Sequence, residues 1–262
     1  DITPLHQTTA QTAESDMWLF GPRDTFRMGG GGGASPNAGA NPPNGVAIRY
    51  YLKDVPDSIA VTMRILDTEN AIIKSFGVKA REGESSLTIN AGLNEFVWNM
   101  RYPDAEGFDG LIMWGGRLTG PKAVPGKYQA RLIVGADSTS VDFNILKDPR
   151  SSADQSDLEA QFEYLRTIRD KLTETHVSIK QIREIRDQVD QILSRVETRE
   201  DAESVRTSGN SMLEKISTIE QALYQTKNKS GQDPLNYPIR LNNKLAAVGS
   251  VAARGDFRPT SQ

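Results

Sequence analysis

Between Asp154 and about Val196 the apolar residues fall three or four apart: Leu158, Phe162, Leu165, Ile168, Leu172, Ile179, Ile182, Ile185, Val189, Ile192 and Val196. That spacing draws one apolar stripe along a helix. Its one long gap is bridged by Thr175 and His176, and no Gly or Pro interrupts it. About 40 residues at a rise of 1.5 Å predict a rod of about 60 Å. Asp148-Pro149, then Ser151, Ser152 and Asp154, supply the start signal, with acidic residues in the first turn. The remaining positions are largely charged, from Arg166 and Arg169 to Arg186 and Asp187. A stripe this long cannot be buried by its own helix and needs partner helices. A second helix is predicted over Glu200 to about Lys227, through Ala202, Val205, Met212, Leu213, Ile216, Ile219, Ala222 and Leu223. Gly209 weakens it by about 1 kcal/mol relative to Ala. Residues 230–238 read as a loop, and Ile239 to about Ala253 as a third, shorter helix ended by Gly255. Short loops between three helices predict an antiparallel bundle over 150–255. In the tail, 256–262, Thr260 or Ser261 would cap a further helix.

From Val46 the period changes to two. Val46–Leu52, Ile59–Leu66, Ala71–Phe76, Leu87–Ile89, Glu95–Met100, Lys127–Val134 and Ser140–Ile145 read as strands, separated by Asp, Asn, Gly and Pro turns. About seven short strands in about 100 residues predict an Ig-like antiparallel β-sandwich over 46–146, with Trp98 in its core. Met17-Trp18-Leu19-Phe20 is expected to pin an otherwise extended entry segment, residues 1–45, to that core as a strand, which carries the sandwich back to about residue 17. The fold class is therefore α+β: a sandwich followed by a bundle with one very long helix. Residues 103–126 form a long loop carrying Phe108, Leu111, Ile112, Met113 and Trp114.

Candidate chemistry is sparse. The net charge of -3 gives no reason to expect a nucleic-acid partner. No cysteine is present, which removes disulfides, thiol catalysis and cysteine-held metals. No apolar run approaches the 18 or so residues that cross a membrane. The chain opens at Asp1 without a hydrophobic signal core, so it reads as a mature or excised piece with any targeting peptide upstream. Five glycines at 29–33 lack the Lys-Ser/Thr and helix of a phosphate loop, so a flexible loop outweighs an anion site. His6 lies in a polar tail. His176 is expected to make a buried or interfacial polar contact rather than to catalyse or bind metal. Asp104, Glu106 and Asp109 lie near Trp114, where paired carboxylates could serve glycoside hydrolysis. Nothing in the sequence holds them rigid, and solvated loop acids are the better reading. Asp67, Glu69 and Asn70 read as a hairpin turn rather than a calcium loop. Tyr50 and Tyr51 fall on opposite faces of one strand, so one of them is expected at the surface. The candidate interaction surface is Trp114, Phe108, Met113 and Tyr51, with no catalytic, cofactor or metal residue.

Several phrases together carry a resemblance. They are Trp18-Leu19-Phe20-Gly21-Pro22-Arg23; Asn41-Pro42-Pro43-Asn44-Gly45 with Tyr50-Tyr51-Leu52; and Asn94-Glu95-Phe96-Val97-Trp98-Asn99-Met100-Arg101-Tyr102-Pro103. Further on come Gly120-Pro121, Pro125-Gly126-Lys127-Tyr128, Lys147-Asp148-Pro149-Arg150, and Asp233-Pro234-Leu235-Asn236-Tyr237-Pro238-Ile239-Arg240-Leu241-Asn242-Asn243. As a set, these resemble the C-terminal region of bacterial sortilin-like (VPS10-type, BNR/Asp-box) β-propeller proteins, often labelled glycosyl hydrolases. The sandwich portion also looks like the FlgD-type Ig-like modules of secreted bacterial proteins. The resemblance implies a periplasmic or extracellular location. The propeller and its Asp-box repeats do not occur in this sequence, so no catalytic residue carries over and the hydrolase label rests on fold analogy.

The resulting expectation is a non-catalytic interaction or scaffolding module, needing no cofactor. Its partner would be a propeller domain or the other proteins of an extracytoplasmic or membrane-associated assembly. The alternative is an accessory module of a glycosidase- or sialidase-like protein that contacts carbohydrate through Trp114 or the exposed Tyr. A weaker third reading is peptide binding by strand addition at a sheet edge.

Overall fold

The computed structural model describes residues 2–28, 37, 42–54, 60–79 and 85–260. The glycine run at 29–33, the turn residues 55–57, Ile59 and the last two residues lie outside this set. The fold is α+β, with two sheets, a very long helix and several shorter ones. Two compact units emerge: Asp1–Pro103 with Lys122–Phe162, and Asp104–Pro121 with Glu163–Gln262. They do not follow the boundaries read from the sequence. The second unit takes the loop 104–121 out of the middle of the strand-rich part, and the division falls inside the long helix.

In the first unit, β1 (Met17–Leu19), β3 (Val46–Leu52) and β6 (Gly92–Trp98) form an antiparallel sheet in the order β1-β3-β6. β2 (Thr25–Arg27), β8 (Asp137–Lys147), β7 (Gly126–Val134), β4 (Val61–Leu66) and β5 (Ile72–Gly77) form the second sheet in that order. β2 runs parallel to β8, and every other pairing is antiparallel. The period-two pattern is realised residue by residue. Val46, Ile48, Tyr50 and Leu52 are buried and alternate with half-buried neighbours. Tyr128, Ala130 and Leu132 do the same on β7. Inward residues of both sheets join one hydrophobic cluster around Trp98, which is 0% exposed and meets the Tyr128 and Phe143 rings edge-on at 5.8 and 6.1 Å. Gly135, with φ of 61°, opens the two-residue β7–β8 hairpin, where a side chain would be strained.

Two expectations need correction in this unit. Leu87–Ile89 is not a strand, although Leu87 is buried. Its amide donates to the Gly77 carbonyl, and the Tyr50 hydroxyl donates to the Thr88 carbonyl. Those contacts stand in for a ladder. The entry segment is also not extended throughout: α1 (Thr3–His6) and α2 (Ala10–Glu14) are single turns, the second opened by a Thr9–Thr12 capping box. Gln7 then ties α1 to the chain ahead, its amide bonding both the N–H (2.8 Å) and the carbonyl (2.9 Å) of Gly21.

The long helix α3 runs Gln155–Arg195. Asp154 caps it: its carboxylate takes the Asp157 amide (2.9 Å), and the Asp157 carboxylate takes the Asp154 amide (3.2 Å). The second helix of the sequence reading becomes a 3-10 turn, Glu200–Ala202, and α4 (Glu203–Leu223). Gly209 does not break it, because a Cβ there would stand 2.7 Å from Leu193 Cδ2 of α3. The glycine leaves room for the Leu193 side chain. α5 (Leu241–Ala252) is the third helix. Asp233, within the loop before it, accepts the Lys229 and Ser230 amides (2.6 and 2.8 Å), which hold its carboxyl below the usual range. Residues 257–260 are not helical, and the residues that would follow the expected cap at Thr260 or Ser261 lie outside the described set.

Candidate interaction surface

The loop 104–121 packs into the helical unit, and side chains from three helices satisfy its backbone. Buried loop backbone needs such partners, because each unpaired N–H or C=O costs free energy. The Asp104 carboxylate first closes the loop on itself by taking the Gly120 amide (2.8 Å), and the Ala105 amide donates to the Leu118 carbonyl (2.7 Å). From α3, Thr173 Oγ1 accepts the Glu106 amide (3.2 Å), and His176 Nδ1 meets the Glu106 carbonyl (2.5 Å). Just past α4, the Tyr224 hydroxyl accepts the Ile112 amide (3.2 Å) and donates to the Gly110 carbonyl (3.3 Å). From α5, Asn243 accepts the Trp114 amide and donates to the Trp114 carbonyl, both at 2.7 Å.

Apolar packing reinforces this polar frame. Ala105, Leu172 of α3 and Ala246 of α5 form a small buried cluster, with Met113, Leu118 and Leu245 against it. Phe108 stands edge-on to the His176 and Tyr224 rings, each at 5.1 Å, and lies under the Arg183 guanidinium at 4.6 Å. Arg183 and Arg186 of α3 both reach Glu220 of α4, at 2.9 and 2.6 Å, and Glu220 is buried. That pairing ties the hairpin of α3 and α4 beside the loop.

The four candidate residues do not form one surface. Phe108 and Met113 are half-buried and turn their apolar area into the packing just described. Trp114 remains 46% exposed although its backbone is clasped on both sides. Tyr51 belongs to the first unit, half-buried on β3. Its neighbour Tyr50 is buried, and burial pushes its hydroxyl up to about 12. The loop acids are spoken for differently: Asp104 caps Gly120, Glu106 pairs with Lys180 (2.7 Å), and Asp109 is exposed. Beyond the loop, Ile185 and Ile192 on α3 and Val205, Met212 and Ile219 on α4 are exposed at seven-residue steps.

Sequence reasoning missed the residues that build this site. Asn242, Asn243, Tyr224 and Thr173 were not singled out as functional, although Asn242-Asn243 closes the Asp233–Asn243 phrase. Their signal was polarity within an apolar helical pattern. Among the described residues, no group of three or more His, Asp or Glu could hold a metal ion. No described helix is long and apolar enough to cross a membrane. No protein-family model matches the chain, and no curated protein matches it.

Proposed function

We propose that the chain is a non-catalytic interaction or scaffolding module, an accessory part of a larger extracytoplasmic and membrane-associated assembly. The observation that carries this reading is Trp114. Its backbone is fixed by Asn243 while its indole stays open to solvent. A large aromatic on a pre-ordered backbone loses little conformational entropy on binding, which is the property of an interface anchor. The extracytoplasmic location rests on the resemblance to sortilin-like propeller proteins.

The first unit reads as an Ig-like sandwich. The orders β1-β3-β6 and β8-β7-β4-β5 follow the strand plan A-B-E and G-F-C-C′. The Tyr128 hydroxyl donates to the Val124 carbonyl (2.8 Å), as in a tyrosine corner at the start of strand F. Trp98 departs from that plan, standing on the strand in place E rather than C. The second unit reads as an antiparallel bundle of α3, α4 and α5 into which the loop is built. Both are frameworks for holding a surface still.

Carbohydrate contact is the second reading, favoured by the same exposed indole. One comparison separates the two. Trp114→Ala is expected to keep its thermal midpoint and to weaken capture of a stoichiometric protein companion by at least about tenfold. Unchanged capture would remove Trp114 as the anchor. Glycan binding by the wild type that disappears in Trp114→Ala would replace the protein partner with a sugar.

A further inference from the structure

We propose that His176 is an acid-sensitive latch that holds the loop 104–121 against the helices at neutral pH and lets it go as the pH falls. The latch stands whether or not Trp114 binds a partner. His176 is 0% exposed and touches the loop and α5 at once. Its Nδ1 faces the Glu106 carbonyl, which can only accept, so Nδ1 carries the hydrogen. Its Nε2 lies 3.3 Å from the Asn242 Nδ2 amide, which can only donate, so Nε2 offers its lone pair. The neutral ring therefore has both nitrogens satisfied. A second proton must go on Nε2 and face a donor, so Asn242 must turn or the loop must move.

The surroundings do not welcome that proton. On α3, Lys180 and Arg183 are cationic, and Arg183 lies over the Phe108 ring that packs on His176. On the loop, the Glu106 carboxylate is already paired with Lys180. On α4, Glu220 already binds Arg183 and Arg186, and the Tyr224 hydroxyl just beyond is uncharged. On α5, Asn242 sits between Arg240 and Lys244 in sequence. Burial pushes the imidazole below the ordinary value of 6.5; the hydrogen bond to the Glu106 carbonyl opposes it, and Lys180 adds a smaller push downward. An unfolded or released ring binds the proton more readily than the latched one. The neutral ring's contribution is thus complete above about pH 6.5, and is lost as pH falls through the lowered native value.

The test is hydrogen exchange of loop 104–121 in the whole chain between about pH 7.5 and about pH 5, corrected for intrinsic rates and compared with strand β7. Imidazole titration by NMR runs in parallel, with exposed His6, the only other histidine, as reference. The expected result is a loss of loop protection, relative to β7, of up to about tenfold per pH unit from about pH 6.5 down to the His176 midpoint, where the loss levels off. That midpoint should lie below the ordinary imidazole value of 6.5. His176→Gln keeps one donor and one acceptor without titrating, and should abolish the step. Loop protection that keeps pace with β7 would overturn the latch. So would a step that survives in His176→Gln, or a loss that does not level off at the imidazole midpoint. Should the variant not fold, the levelling of the wild-type loss at the imidazole midpoint still decides.

Discussion

Asn243 closes both backbone groups of Trp114 with one side-chain amide, as Gln7 does for Gly21. An amide carries a donor and an acceptor side by side, so one residue can replace the two bonds a strand neighbour would supply. Asn243→Ala leaves the Trp114 groups to find water and should cost about 1–3 kcal/mol. Chemical denaturation measures this, and a cost below about 0.5 kcal/mol would mean the loop is held elsewhere. Among these residues, His176 was the legible one. A histidine in the gap of an apolar stripe announces a buried polar contact, and its burial follows. Asn243 was not legible, because its partner lies 129 residues away and no local pattern points to it. The same reason explains Phe108 and Met113. Apolar residues in a long loop look available until the helices that absorb them are in place.

At the scale of elements, α3, α4, α5 and the alternating strands other than Leu87–Ile89 were read correctly because each is a local, periodic signal. The loop 104–121 was not, because a segment without period takes its structure from what it packs on. Gly116 shows how closely it is packed. A Cβ there would lie 2.5 Å from Ala246 Cβ and 3.1 Å from its backbone carbon, neither of which can swing aside. Gly116→Ala should therefore destabilise by about 1–3 kcal/mol, whereas Met212→Gln on the exposed row of α4 should stay within about 0.5 kcal/mol. Thermal unfolding of the two variants tests the contrast, and equal midpoints would contradict the packing described. Gly209 runs the other way. Read from sequence alone it is a helix weakness, and in place it is the room that Leu193 needs. Propensity sees one helix at a time, and this glycine answers to two.

At the scale of the molecule, an interaction module of the kind proposed would pair its charges within the chain and keep apolar side chains open. Several of its charged residues pair with one another or cap backbone: Glu220 with Arg183 and Arg186, Asp104 with Gly120, Asp148 with Arg150. Its exposed apolar side chains include the indole of Trp114 and the rows of α3 and α4. The two-unit division was only partly legible. The change of period from two to three or four marks strands and helices, but not that one loop would join the helical unit. The most direct test of the interaction-module reading is the native mass of the chain, gently solubilised from its own cells, with and without Trp114→Ala. The account predicts a complex well above the chain's own 28.8 kDa, with a companion in fixed ratio that the substitution releases. A wild-type chain that runs at 28.8 kDa, or a complex indifferent to Trp114→Ala, would contradict it.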